Sequence, residues 1–494
     1  MKAIPDKSAL YAKLVATIPT IERKGDTVPY TSHNGHMFSY LSKTGTLALR
    51  LPDGAREEFL KKYKTGLCMS LAYVRTLKPK TTKGKKGMAE PRIMALCAVS
   101  ALAMLASLPL LAAEPDRAAS LPSDPVAQLV ARLDLGRYKA TIKGLTRFGD
   151  RRQGTDRNRA AIDWIESQLR AYGCTDIARL TYGYSPEQKA RPSGPPAQPD
   201  AAKGGGRFRG ARAVIGVNND PQRQPDAGLR ARDAQASAPG ERQEVYCTKL
   251  GSTHPDEMYI VGAHMDGIGW GEAANDDGSG SALVMELARI FAGPDVHTER
   301  SIRFVLWNNE ETGLDGAYAY VEQRAQLQGL EAPAGSGRYP EPRWLGMVQH
   351  DMLLFDHGMP RADGTVSPTQ RAEADVNVEF QSQAKQADGA QKLAWAFYAA
   401  NEAYATDYPA SVGPHMTNTD STPFMDLVPA ISVRENERGT QIGAGWDPHW
   451  HQPTDLYATF NDADFRLGLN AAQTTLGAIA RLAGASLSAQ PSSR

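Results

Sequence analysis

The stretch Met258 to Phe291 reads M-Y-I-V-G-A-H-M-D-G, then I-G-W-G-E-A, then A-N-D-D-G-S-G-S-A-L-V-M-E-L-A-R-I-F, and it decides the architecture. A short apolar run, Met258 to Ala263, predicts a strand; it gives way to a polar, Gly-rich loop, and the loop opens an apolar segment of helical length, Ser279 to Phe291. The chain downstream repeats this order. Ser301 to Trp307 predicts a strand, Gly313 to Gln323 a helix and Trp344 to Gln349 a further strand. Strands alternating with helices imply an α/β fold with a mainly parallel or mixed central sheet flanked by helices. Ligands in such folds sit beyond the carboxyl ends of the strands. The polar clusters of this sequence lie at those ends.

The first strand ends in His264 and Asp266, two apart, so an extended backbone puts them on one side. One can bind a metal while the other orients it. In the loop that follows, Asp276 and Asp277 precede a helix, and capping of its N-terminus would explain one of them without any chemistry. The second strand ends in W-N-N-E-E-T-G. Its adjacent acids, Glu310 and Glu311, can face one site only where the backbone turns, leaving one as a ligand and one free to take a proton. The third strand carries Asp351 in an apolar run, where a charge is costly unless paired or metal-bound; His350 points the other way. Finally W-D-P-H-W-H-Q-P-T-D supplies His449 and His451 in a loop, with Asp455 four residues further on. Taken singly, an H-x-D is most often structural, and a pair of acids in a turn is as often a cap or a plain surface turn as a site. Together they put imidazoles and carboxylates at successive strand ends. That donor set, with no thiolate, suits catalytic rather than structural zinc.

The motifs A-H-M-D, N-D-D-G-S-G, N-N-E-E-T-G-L, H-D-M and H-Q-P-T-D, in this order, resemble the zinc aminopeptidase and glutamate carboxypeptidase family across residues 125–485. The resemblance implies a zinc exopeptidase fold and two Zn2+ ions. It places His264 and Asp351 on one ion, Glu311 and His451 on the other, and Asp276 between them. Glu310 would be the general base and Asp266 the partner that orients His264. It also implies peptide substrates and, first of all, an aminopeptidase that releases N-terminal residues. A glutamate-type carboxypeptidase is the runner-up, because Arg434 and Arg438 could grip a substrate carboxylate. A one-zinc glutaminyl cyclase and a non-catalytic binding ectodomain are the remaining alternatives. The sequence departs from the family at H-M-T-N-T-D-S-T-P-F: where some relatives place a tyrosine to stabilise the oxyanion, His415, or less directly Asn418, stands as the candidate.

With 494 residues, two or more units are expected. Lys and Arg total 56 against 55 Asp and Glu, so no global field draws in nucleic acid or an anionic membrane. Residues 93–113 are uncharged and apolar after Lys83, Lys85, Lys86 and Arg92, the pattern of a signal peptide or, if it stays uncleaved, a membrane anchor. Either reading puts the chain beyond Ala113 outside the cytoplasm, periplasmic or secreted.

Residues 1–75 predict a small separate α/β domain, with an amphipathic start at Ala9 to Ile18, strands at His36 to Leu41 and Thr46 to Leu51 and a helix at Asp53 to Tyr63; a basic linker follows at 76–92. The runs P-Y-T-S-H-N-G-H-M-F-S-Y-L and A-L-R-L-P-D-G-A-R-E-E-F-L-K-K-Y resemble a small domain of the TfoX N-terminal type. Because the apolar run begins so late, translation of the exported enzyme is expected to start at Met88 or Met94 unless the run is an anchor. Residues 1–87 then belong to a neighbouring reading frame.

Beyond the apolar run, Pro125 to Tyr138 and Asn158 to Tyr172 predict helices. Residues 186–242, rich in Pro, Gly, Gln and Arg, read as a low-complexity surface insertion with one short strand at Ala211 to Val217. Of the four cysteines, Cys174 and Cys247 flank it. They can pair in an oxidising compartment, or remain as two buried thiols.

Overall fold

In the computed structural model the described residues are parts of 11–49, then 124–186, 216–357, 370, 374–414, 419–435 and 447–488. They belong to two units, Met1–Pro122 and Ser123–Arg494. In the first, β1 (Arg23–Lys24), β2 (Tyr30–His33), β3 (His36–Leu41) and β4 (Leu47–Leu49) form an antiparallel sheet in sequence order. Tyr11 and Val15, on helical turns, are buried, and the Tyr11 hydroxyl meets Ser39 Oγ. The expected helix at 53–63, the basic linker and the apolar segment 93–113 lie outside the described residues.

The second unit begins with α1 (Pro125–Val130) and α2 (Leu135–Thr146), where the sequence predicts one helix from 125 to 138. The break has a local cause: Asp134 caps a new N-terminus by accepting from the Arg137 N–H, so the chain restarts rather than continues. Next come α3 (Asp156–Ala171) and β5 (Asp176–Tyr184), then α4 (Ala227–Asp233), β6 (Gly240–Lys249) and β7 (His254–His264). α5 (Gly278–Phe291), β8 (Val296–His297), β9 (Arg300–Trp307), α6 (Asp315–Arg324) and β10 (Arg343–His350) follow. The chain finishes with β11 (Val376–Phe380), α7 (Ala387–Tyr404), β12 (Ala410–Gly413), β13 (Ala430–Arg434), α8 (Asp462–Leu482) and β14 (Ser486–Leu487).

Eight strands form the central sheet in the order β12-β11-β13-β10-β7-β9-β6-β5. Its middle, β13, β10, β7 and β9, is parallel, whereas β11 against β13 and β6 against both neighbours are antiparallel. The mixed sheet matches the expectation, and alternation along the strands explains its two cores. From β7, Met258 and Ile260 face one layer and Val261 and Ala263 the other; from β9, Val305 and Trp307 oppose Ile302, Phe304 and Leu306. Each Val, Leu, Ile, Phe and Met among them contributes about 1.5–3 kcal/mol on burial. α5 is apolar on almost every side because it lies inside the larger layer, in contact with the sheet, α2 and α8.

One boundary differs from the sequence reading. The low-complexity stretch was expected to reach residue 242, yet 216–242 is folded and carries α4 and the start of β6. Composition misleads here because the segment's polar side chains are used inside the structure: Asn218, Gln224 and Asp233 are all buried. The expected strand at 211–217 lies outside the described residues up to 215, and no strand occupies Gly216 and Val217.

Candidate metal centre

The parallel strands end together, and the centre is assembled at that edge. His264 is the last residue of β7, and Asp351 directly follows β10, its neighbour in the sheet. The loop between β7 and α5 is held by buried Arg151, whose guanidinium donates to the carbonyls of Met265, Glu272 and Ala273 at 2.7–2.9 Å.

The two aspartates of that loop separate into different tasks. Asp277 caps α5 by accepting from Gly280 N, and also accepts from the backbone N–H groups of His264 and Met352, tying three segments together. A Cβ on Gly280 would lie 2.5 Å from Asp277 Oδ1, so the cap needs a glycine there. Asp276 instead points at both imidazoles: Oδ1 is 3.2 Å from His264 Nε2, and Oδ2 is 3.1 Å from His451 Nε2.

Two groups of potential metal ligands share Asp276. One is His264, Asp276 and Asp351; the other is Asp276, Glu311 and His451, with Glu311 Oε2 at 2.8 Å from His451 Nε2. Glu310 and Glu311 reach the site from the turn after β9, where Asn309 takes a left-handed backbone (φ 65°) that breaks strand alternation. His451 also has positive φ, 56°, and its backbone packs on Gly269, where a Cβ would come within 2.4 Å of the His451 carbonyl.

The electrostatics follow from burying this many carboxylates. Burial opposes a charge on His264, but Glu310, Asp276 and Asp277 outweigh it and hold the imidazole well above its ordinary value. His451 is raised in the same way by Glu311 and Asp276. Against the same burial, the two imidazoles keep Asp276 well below the usual carboxylate range. Burial drives Glu310 far up and Glu311 up to about 7. Glu311 Oε1 is buried and has no hydrogen-bond partner among the described residues. Clustered carboxylates, an orphaned oxygen and two converging imidazoles fit bound divalent cations, and His with carboxylate is a zinc-type donor set.

Other expected residues are placed differently. The Asp266 carboxylate does not hydrogen-bond His264; Nδ1 meets the Asp266 backbone carbonyl at 3.0 Å, while the carboxylate accepts from the Glu310 N–H at 3.1 Å. The chain curls after β7, so the carbonyl reaches the ring first. Asp266 therefore seats both His264 and the Glu310 turn. Arg434, expected as a possible grip for a substrate carboxylate, is buried and bonded to Asp351 Oδ2. His350 turns away, pairing with the Gly262 carbonyl and Thr475, and His449 is held by Thr454. His415, Asn418 and Arg438 lie outside the described residues.

Sequence reasoning missed several supports. Asp455 receives the N–H groups of Asn275 and Asp276 at 2.8 and 3.1 Å, and Asn275 in turn binds Glu435, Asp447 and the N–H groups of Leu353 and Leu354. Thr419 donates to Asp351 Oδ2. Asn218 N–H donates to the His451 carbonyl, and Gln224 donates to that of Pro453, so the folded end of the supposed insertion braces the His451 loop. Only the position of Asp455 in H-Q-P-T-D gave any signal. Beside Glu311 opens a cavity of about 300 Å³ walled by Arg152, Gln153, Tyr184, Val217 and Ile268.

Comparison with known proteins bears on this arrangement. Residues 245–472 match the model of peptidase family M28. Aminopeptidase YwaD of Bacillus subtilis is 37% identical over 75 residues, 15% of this chain and 16% of that protein. The probable lipoprotein aminopeptidase LpqL of Mycobacterium tuberculosis is 40% identical over 81 residues, 16% of each. Carboxypeptidase Q of Xenopus laevis is 36% identical over 73 residues, 15% of this chain and 16% of that protein. These matches span about a sixth of the relatives' length. Among solved structures, the aminopeptidase from Aneurinibacillus sp. strain AM-1 aligns with 74% of this chain and 98% of its own, at 20% identity and a TM-score of 0.46. The segment that matches the peptidase family M28 model, residues 245–472, contains all seven of His264, Asp266, Asp276, Glu310, Glu311, Asp351 and His451.

Proposed function

We propose that this protein is a two-zinc exopeptidase, in the first place an aminopeptidase that releases N-terminal residues from peptides. The observation that carries the reading is Asp276, whose two oxygens face two separate imidazoles, each backed by its own carboxylate. His264 and Asp351 would hold one zinc, Glu311 and His451 the other, and Asp276 both. Zinc bound there supplies a Lewis acid that polarises a peptide carbonyl and makes water more acidic. Glu310 is the general base. Its carboxylate takes the proton of the attacking water and passes it to the leaving amine, seated for this by Asp266. His415 is a candidate to stabilise the oxyanion.

Completeness of both ligand groups favours two metals over the one-zinc cyclase and over a ligand-depleted binding ectodomain. The bond from Arg434 to Asp351 removes one candidate for gripping a substrate carboxylate, which favours aminopeptidase over carboxypeptidase. The decisive assay supplies residues 114–494 with amino-acid p-nitroanilides and with N-acylated dipeptides, with and without chelator. Chelator-sensitive release from the p-nitroanilides is expected. Turnover that survives chelation would overturn the zinc reading, and preference for N-acylated dipeptides would move it to a carboxypeptidase.

The enzyme is further proposed to work outside the cytoplasm, with residues 93–113 as its signal or anchor and residues 1–87, TfoX-like in sequence, as a neighbouring reading frame. Support comes from Cys174 and Cys247, whose sulfurs lie 3.0 Å apart and are ready to pair in an oxidising compartment. N-terminal sequencing of the native protein tests the start: a chain beginning at Met1 would refute the reading-frame proposal.

A further inference from the structure

Asp351 uses its two oxygens differently. Oδ1 faces the metal centre, 4.0 Å from His264 Nε2. Oδ2 is turned away and accepts from Thr419 Oγ1 at 2.7 Å and from Arg434 Nη2 at 2.5 Å. Arg434 is the last residue of β13, which runs parallel to β10 with Val433 level with His350, so its guanidinium stands beside the residue that leaves β10. It is 2% exposed, and its Nε has no acceptor among the described residues. The other group of ligands has no counterpart. No lysine or arginine pairs with Glu311, Asp276 or His451 among the described residues.

We propose that Arg434 is a positioning residue that makes the two metal sites unequal. It holds Asp351 to coordination through one oxygen and draws charge toward the outer one, so the His264–Asp276–Asp351 site binds zinc more weakly than the Glu311–Asp276–His451 site. The inference rests on the two-zinc reading. With Asp276 shared, the first site and its guanidinium carry a formal charge of roughly −0.5, the second roughly −1.5. A fixed cation one carboxylate away from a divalent ion is screened little in a buried site. Groups bonded to metal ligands commonly alter affinity by about 10–100-fold.

The test titrates zinc into the metal-free full chain by calorimetry and compares wild type, R434Q and R434K. Wild type is expected to fill two sites at least about tenfold apart in affinity. R434Q should tighten the weaker site by about tenfold or more and leave the tighter one within about threefold. R434K, which keeps the charge, should stay close to wild type. An unchanged or weakened first site in R434Q would overturn the proposal. Should R434Q fail to fold, which melting of the metal-free variant would reveal, the order of sites decides on its own. His264→Ala must retain the tight site and His451→Ala the weak one, and the reverse order refutes the inference. Wild type that binds fewer than two ions would instead overturn the two-zinc reading itself.

Discussion

Asp455 is not itself an expected ligand, yet it holds the backbone from which Asp276 reaches both imidazoles. Its two carboxylate oxygens receive Asn275 N at 2.8 Å and Asp276 N at 3.1 Å, and the residue is 3% exposed. Replacement by alanine leaves two buried N–H donors without partners and opens a void that offers them nothing. Two buried N–H groups left unpaired cost about 1–3 kcal/mol each, offset in part because burial already pushes the Asp455 carboxyl up, so Asp455→Ala should lose about 2–4 kcal/mol of stability. Asp455→Asn keeps one acceptor oxygen and should lose about half as much. Because the displaced segment carries the shared ligand, zinc affinity should fall at least about tenfold at both sites together, unlike a change confined to one site. Urea denaturation of the metal-free variants measures the first effect and zinc calorimetry the second. Asp455→Ala within about 1 kcal/mol of wild type, with both zinc affinities intact, would refute the reasoning.

Three further outcomes are expected. His451→Ala should lose the tighter-held of the two zinc ions and nearly all turnover, while His449→Ala, whose ring is held by Thr454 away from the centre, should keep both zinc and turnover within about threefold; equal losses in the two variants would overturn the assignment of the loop. Burial pushes His350 down to about 4, against about 6.5 when unfolded, so unfolding takes up a proton between these values. Stability from this group is present above pH 6.5 and lost as pH falls toward 4, by up to about 3 kcal/mol, and urea denaturation of metal-free His350→Gln should show a flatter pH dependence than wild type, parallel curves contradicting this. Native protein isolated with thiols blocked should contain no free Cys174 or Cys247, and Cys174→Ser should melt at lower temperature; two titratable thiols would refute the pairing.

The periodicity from Met258 to Gln349 carried the sheet because apolar spacing records which face of each element is buried. The residues that cluster at the strand ends were legible for a related reason. A buried carboxylate such as Asp351 inside an apolar run needs a partner, and the sequence offers few. Asp276 and Asp277 were the harder pair, since a helix cap and a metal ligand demand the same residue type; only the direction of each side chain separates them. The orienting group on His264 was misplaced by the same limit, because a backbone carbonyl leaves no mark in the sequence. Asn218, Gln224 and Arg151 were invisible for another reason: each acts through main-chain partners far away in sequence, and Asn218 and Gln224 also lie within a segment whose composition reads as unfolded.

The central claim is that two zinc ions and a separate base, Glu310, share one site, and Glu310→Gln tests it most directly. Metal content and p-nitroanilide turnover should be measured on the same preparation. Two zinc ions per chain are expected, as in wild type, with turnover reduced by about 10²–10⁴, the range for loss of a general base. Retained turnover would contradict the assignment of Glu310, and loss of zinc along with activity would show that Glu310 is a ligand rather than the base.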